Sequence, residues 1–191
     1  MDNADQSTSE SKSPLSISLS WDFITEVNNN TYRVRVEQHP AIDVIGVAVR
    51  TNNANEMNGR GKIGEVWQKF IKQNVAAKIH QRVGNDIIAV YTDYDSDQNG
   101  EFTFLLGGKV SSVDRIPSGL VAKRVPAGRY AVVASNTGPL TQVVPEVWQR
   151  IWTMPPKDLG GSRAFLADYE LYNARARDPQ HAQVDVYVGL R

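Results

Sequence analysis

The hexapeptide Glu65-Val66-Trp67-Gln68-Lys69-Phe70 returns 81 residues later as Glu146-Val147-Trp148-Gln149-Arg150-Ile151. Such a repeat is a strong constraint, because each copy must be a supersecondary unit that buries its apolar face against its twin. The same offset sets Tyr91 on Tyr172 and Ala89 on Glu170. The pattern of elements recurs as well. In the first copy, Tyr32 to Glu37 and Ile42 to Thr51 read as strands around the turn His39-Pro40. Ile63, Val66, Trp67, Phe70 and Ile71 make a 3.6-residue stripe, a helix over Lys62 to Asn74. Strands over Ile87 to Tyr94 and Phe102 to Val110 follow, joined by the turn Asp95 to Gly100. The second copy repeats the order. It has strands over Leu120 to Val125 and Tyr130 to Ser135, a helix from Leu140 to Trp152, and strands over Ala164 to Tyr172 and Val184 to Leu190.

The expected fold is α+β: duplicated ββαββ units forming antiparallel sheet, with a helix per repeat and a central ligand cleft. Repeat one covers residues 31–115 and repeat two 116–191. A pseudo-twofold cleft of this kind is asymmetric at its centre, with Ala89 on one side and Glu170 on the other.

Ahead of the repeats, residues 1–14 are polar and rich in Ser and Asp, a composition expected to stay disordered. Residues 15–30 form an extension in which Leu15, Ile17, Leu19, Trp21 and Phe23 alternate with polar residues, the period of a strand with one buried face. Its partner is not visible in the sequence. It either extends the sheet of its own chain or pairs with a second subunit, giving a homodimer. The tract Asn28-Asn29-Asn30 marks a turn.

Composition excludes several classes of function. Lys plus Arg and Asp plus Glu both total 21, so no net field favours nucleic acid or a membrane surface. The absence of cysteine removes disulfides and thiolate metal sites and fits a reducing, cytoplasmic setting. No run of ~18 apolar residues spans a bilayer, and the N-terminus has no apolar core of a secretory signal.

Within Arg163 to Tyr172, alternation places Phe165, Ala167, Tyr169 and Leu171 on one face and Leu166, Asp168, Glu170 and Tyr172 on the other. Glu170 lies among aromatic and apolar neighbours. Burying a carboxylate there costs several kcal/mol, in order of magnitude, unless a positive group answers it. That group is either an Arg of the same chain, such as Arg163, or a ligand.

The order Pro126-Ala127-Gly128-Arg129-Tyr130, Ser135-Asn136-Thr137-Gly138-Pro139-Leu140, Ile151-Trp152, Tyr169-Glu170-Leu171-Tyr172 and Val184-Asp185-Val186-Tyr187-Val188 resembles the GyrI-like small-molecule-binding domain. That domain is also the effector-binding part of AraC-type and MerR-type multidrug-responsive regulators. The resemblance covers Tyr32 to Arg191 and implies a cleft for bulky, cationic, amphipathic aromatic compounds, with a carboxylate at its base. By position Glu170 resembles that carboxylate and Trp67 a wall residue. Tyr91, Phe104, Tyr130 and Trp148 are the further candidate walls, with a core role as the alternative for Trp67 and Trp148. Met1 to Asn30 is too short for a helix-turn-helix, so no direct nucleic-acid binding is expected. Two other functions remain open. One is a modulator of a protein target such as DNA gyrase; the other is a small-molecule hydrolase with Glu170 as general base.

Three motifs point elsewhere and carry less. Gly59-Arg60-Gly61-Lys62-Ile63-Gly64 spells the dinucleotide fingerprint, but it follows a hairpin rather than a parallel βαβ unit. Asp95-Ser96-Asp97-Gln98-Asn99-Gly100 opens like a calcium loop, yet position 12 is Leu106 where a bidentate Glu is required. His39, His80 and His181 show no metal-ligand spacing. No metal or cofactor is expected.

Overall fold

The computed structural model describes the backbone of residues 21–27 and 30–191, with side-chain environments from residue 33 onward. The disordered tail expected for residues 1–14, and the Leu15 to Ser20 part of the N-terminal strand, lie outside the described residues. The strands are β1 (Trp21–Val27), β2 (Asn30–His39), β3 (Ile42–Thr51), β4 (Ile87–Thr92), β5 (Phe102–Val110), β6 (Val121–Val125), β7 (Gly128–Ala134), β8 (Ala167–Tyr172) and β9 (Asp185–Gly189). Among the described residues they form one antiparallel sheet, ordered β1-β2-β7-β9-β8-β4-β5-β3-β6.

That order carries the duplication. β2, β3, β4 and β5 make the first ββαββ unit, and β6, β7, β8 and β9 the second. The centre falls between β4 and β8, where Ala89 faces Glu170. Each unit lends its first strand to the other: β2 pairs with β7, and β6 with β3. β1 breaks the symmetry by adding outside β2, with Trp21 facing Val36 and Val27 facing Asn30. The N-terminal strand therefore extends the sheet of its own chain.

Two-residue links force the sheet to coil. Pro40-Ala41 joins β2 to β3 and Pro126-Ala127 joins β6 to β7, although these strands sit near opposite ends of the order. A link of that length spans only ~11 Å, so the two ends of the sheet meet. The enclosed face fills itself with Val44, Val90, Leu105, Val132, Tyr130, Tyr169 and Tyr187, and needs no helix to cover it. Glycine permits the close crossing of β3 and β5. A Cβ on Gly46 would stand 2.1 Å from the Leu106 carbonyl oxygen, and one on Gly107 2.0 Å from that of Ile45.

Helices cover the other face. Five α-helices are present among the described residues: α1 (Asn53–Met57), α2 (Ile63–Lys72), α3 (Val75–Lys78), α4 (Leu140–Thr153) and α5 (Pro156–Leu159). α2 buries Val66 and Phe70 against Ile45, Phe104 and Leu106, while α4 buries Val147, Trp148 and Ile151 against Val133, Val186 and Val188.

The structure differs from the pattern-based expectation at a few boundaries. α1, α3 and α5, each of four or five residues, are too short to show periodicity. The helix expected to run to Asn74 stops at Lys72, because Asn74 adopts a left-handed backbone at φ 46°. Phe165 takes φ 53°, turning the chain, so β8 begins at Ala167 rather than Ala164.

Candidate functional site

β8 aims Asp168, Glu170 and Tyr172 at the helix-covered face, as alternation requires. Glu170 is 1% exposed. Its Oε1 accepts a hydrogen bond from the Tyr91 hydroxyl at 2.7 Å and from Trp148 Nε1 at 2.5 Å; its Oε2 accepts from the Tyr172 hydroxyl at 2.6 Å. No lysine or arginine pairs with it among the described residues. Burial pushes its pKa above the ordinary value of 4.5, against the pull of the three donors. The two tyrosines are pushed well above 10.0, by burial first and then by the neighbouring carboxylate. Glu170 is thus a carboxylate solvated by neutral donors only.

The aromatic walls cross between repeats. Trp67 of the first packs edge-on against Tyr172 of the second at 4.9 Å and 71°. Trp148 of the second packs against Tyr91 of the first at 5.0 Å and 62°. The two pairs are related by the 81-residue offset and flank Glu170. Trp148 therefore has both roles weighed for it: it is 7% exposed in the α4 core, yet lines a hollow and donates to the carboxylate.

Two of the six candidate residues lie elsewhere. Phe104 is fully buried beneath Tyr91, with ring centroids 5.3 Å apart, and supports the wall rather than lining it. Tyr130 points into the enclosed face, because β7 alternates and Ala131 and Val133 take the helix side. Its hydroxyl donates to the Pro126 carbonyl at 2.8 Å, tying down the turn between β6 and β7. Tyr172 was not among the candidates, although its place two residues beyond Glu170 on the same face signalled it.

The arginine weighed as a partner for Glu170 has a different one. Arg163 pairs with Asp168 at 2.7 Å, with 9% and 0% of their side chains exposed. Asp168 also accepts from the Tyr94 hydroxyl at 2.8 Å and the Gly189 amide at 2.8 Å. The guanidinium lies 4.4 Å over the Phe165 ring and donates to Gln98 Oε1 at 3.1 Å. The turn at Phe165 brings Arg163 back onto the first acidic residue of β8 instead of the second.

The side motifs have structural partners. At the glycine-rich loop, Glu56 accepts from the Lys62 amide at 2.8 Å and the Ile63 amide at 3.3 Å, so a carboxylate already occupies the start of α2. A Cβ on Gly61 would meet Glu56 Oε2 at 2.1 Å, which accounts for that glycine without a phosphate. Asp95 of the calcium-like loop pairs with Arg50 at 2.7 Å, and Asp97 accepts from the Asn99 amide at 2.8 Å.

Two fused ββαββ units around a buried, unpaired carboxylate define an effector-binding domain of the GyrI-like kind. A solved integron cassette protein from the mobile metagenome of Vibrio cholerae shares the fold with a TM-score of 0.66 at 28% identity, over 83% of this chain and 95% of that one. SAV2435, solved with tetraphenylphosphonium bound, shares it with a TM-score of 0.67 at 12% identity, over 83% and 93%. Residues 35–190 match the Cass2 family of integron-associated effector binding proteins, and the chain belongs to that family. YobU of Bacillus subtilis, named as a transcriptional regulator, is 36% identical over 147 residues, 76% of this chain and 90% of YobU. The transcriptional regulator BrlR of Pseudomonas aeruginosa is 29% identical over 160 residues, 82% of this chain and 54% of BrlR. The family is one of effector-binding proteins. No described helix is long and apolar enough to cross a membrane.

Proposed function

We propose that this domain binds bulky, aromatic, amphipathic cations in the cleft between its repeats, with Glu170 as the counter-charge. The observation that carries this is that, among the described residues, the fully buried Glu170 carboxylate has Tyr91, Trp148 and Tyr172 as donors and no paired lysine or arginine. A lipophilic cation is weakly hydrated, so its own charge offsets the desolvation of Glu170 at little cost to itself. Each aromatic ring it meets contributes ~0.5–2 kcal/mol more. A fold neighbour, SAV2435, holds tetraphenylphosphonium, which supports this chemistry for the fold.

The hydrolase alternative finds no protein nucleophile among the groups bonded to Glu170. Both hydroxyls on Glu170 belong to tyrosines that donate to it and whose pKa values are raised, so neither supplies a phenolate at neutral pH. No observation favours a gyrase-like protein target. A homodimer formed across the outer edge of β1 is proposed separately, because β1 ends the sheet order among the described residues. Deleting residues 1–27 and measuring mass by sizing chromatography tests that dimer, and an unchanged mass disposes of it.

The binding assignment is tested by titrating a lipophilic cationic dye and a neutral dye of the same shape. The cationic dye is expected to bind more tightly, and Glu170→Gln to weaken it without unfolding the domain. Equal affinity for the two dyes removes the role of Glu170.

A further inference from the structure

The cleft is divided in two. One hollow, of 580 Å³, is walled by Tyr91, Phe102, Trp148 and Trp152; the other, of 670 Å³, by Trp67, Ile71 and Tyr172. Each volume suits one drug-sized group. Ile63, Val144 and Pro145 line both, so the partition consists of side chains from α2 and α4 rather than of the sheet. Glu170 divides its oxygens in the same way. Both donors to Oε1, Tyr91 and Trp148, line the first hollow, and the donor to Oε2, Tyr172, lines the second.

Each outer end carries both signs of charge. Glu56 and Arg163 line the first hollow, where Arg163 already pairs with Asp168 and the amides at the start of α2 answer Glu56, and Asp86 and Arg177 line the second. The uncompensated charge lies at the centre, on Glu170.

We propose that the two hollows are two arms of a single slot, and that its ligand is an elongated cation with its charge mid-body and an aromatic arm on each side. This inference rests on the cation-binding role proposed above for Glu170 and adds the ligand's shape and charge position. A cation charged at one end fills one hollow, meets one aromatic pair and leaves the other wall uncovered. A mid-body charge lies over the donors to both carboxylate oxygens, Tyr91, Trp148 and Tyr172, while each arm meets its own pair, Trp148 with Tyr91 or Trp67 with Tyr172. Seating such a ligand displaces the partition. Pro145 favours that movement, because without an amide hydrogen it leaves the Thr141 carbonyl without its helical bond in the turn that carries Val144.

The test compares a symmetric carbocyanine, charged along its centre with a ring system at each end, with N-methylquinolinium, a compact cation. Two substitutions fill one arm each. Gly64→Phe enters the first hollow, where a Cβ meets nothing within 4 Å, and Thr141→Trp enters the second from an exposed position on α4. Calorimetry is expected to show one carbocyanine per chain. Each substitution is expected to weaken carbocyanine about tenfold or more, while at least one of them leaves N-methylquinolinium within about twofold of the unsubstituted protein. Thermal melts check the fold, and Gly64→Leu or Ala176→Leu replaces a variant that fails to fold. Two carbocyanines per chain, or a carbocyanine affinity untouched by either filled arm, overturns the single slot while Glu170→Gln still weakens both dyes. If Glu170→Gln alters neither dye's affinity, the cation-binding role itself fails and this inference falls with it.

Discussion

Ala89 and Glu170 face each other across β4 and β8, at equivalent positions of the two repeats. Alanine is small enough to leave room over the centre of the cleft, and the glutamate places its charge there once rather than twice. Two facing glutamates would repel and share a proton. The duplicated fold thus provides a symmetric enclosure, and this single difference makes it a site for one positive charge.

Neutralising that charge should stabilise the empty domain. Because burial raises the folded-state pKa of Glu170, its favourable contribution is fully present below the ordinary value of 4.5 and is lost as pH rises through the raised value. Glu170→Gln has no such loss. At pH 7 the variant is expected to be more stable than the unsubstituted protein, with the gap closing near pH 4. Urea denaturation from pH 4 to 8 measures this, and parallel curves for the two proteins would contradict it.

Cation binding has the opposite pH dependence. Only the ionised carboxylate attracts the ligand, so affinity rises with pH through the raised pKa and levels off above it. Binding near that pKa should release a proton, seen as a dependence of calorimetric heat on the ionisation enthalpy of the buffer. Trp148→Phe removes one of the donors that favour the charged form, so the affinity midpoint should move to higher pH. A midpoint that stays put or moves down would show that the indole does not stabilise the charge.

Arg163→Met should destabilise the fold strongly. It strands Asp168, a fully buried acid, with only the Tyr94 hydroxyl and Gly189 amide as donors. Breaking a buried pair on one side costs about 3–5 kcal/mol. Arg163→Lys should recover only part of this, since a single ammonium cannot replace the forked contacts to Asp168 and Gln98. Denaturant midpoints decide the matter; a loss below ~1 kcal/mol for Met would mean that Asp168 does not depend on the guanidinium.

Gly46→Ala is expected to prevent folding or cost more than ~3 kcal/mol, because the added methyl would stand 2.1 Å from a backbone oxygen in the crossing of β3 and β5. Gly64→Ala, at an open position near the start of α2, should instead be neutral or stabilising by up to ~1 kcal/mol. Circular dichroism and thermal melts of the pair distinguish crowding from a general intolerance of substitution.

Sequence periodicity by itself determined most of the elements and the duplication, because residue spacing reports directly on which side chains share a face. β3 and β5 run over the residues that the sequence marks as strands, and Glu170 and Tyr172 share a face as two-residue spacing demands. The identity of each side chain's partner was decided only by the tertiary structure. Trp67 meets Tyr172, Trp148 meets Tyr91, and Arg163 turns to Asp168, which leaves Glu170 without a paired lysine or arginine among the described residues. These contacts depend on how two links coil the sheet, how β4 and β8 register, and how one residue, Phe165, bends the chain before β8. Local pattern describes a residue's own strand or helix, whereas the charge balance at Glu170 is set by groups up to 79 residues away in the chain.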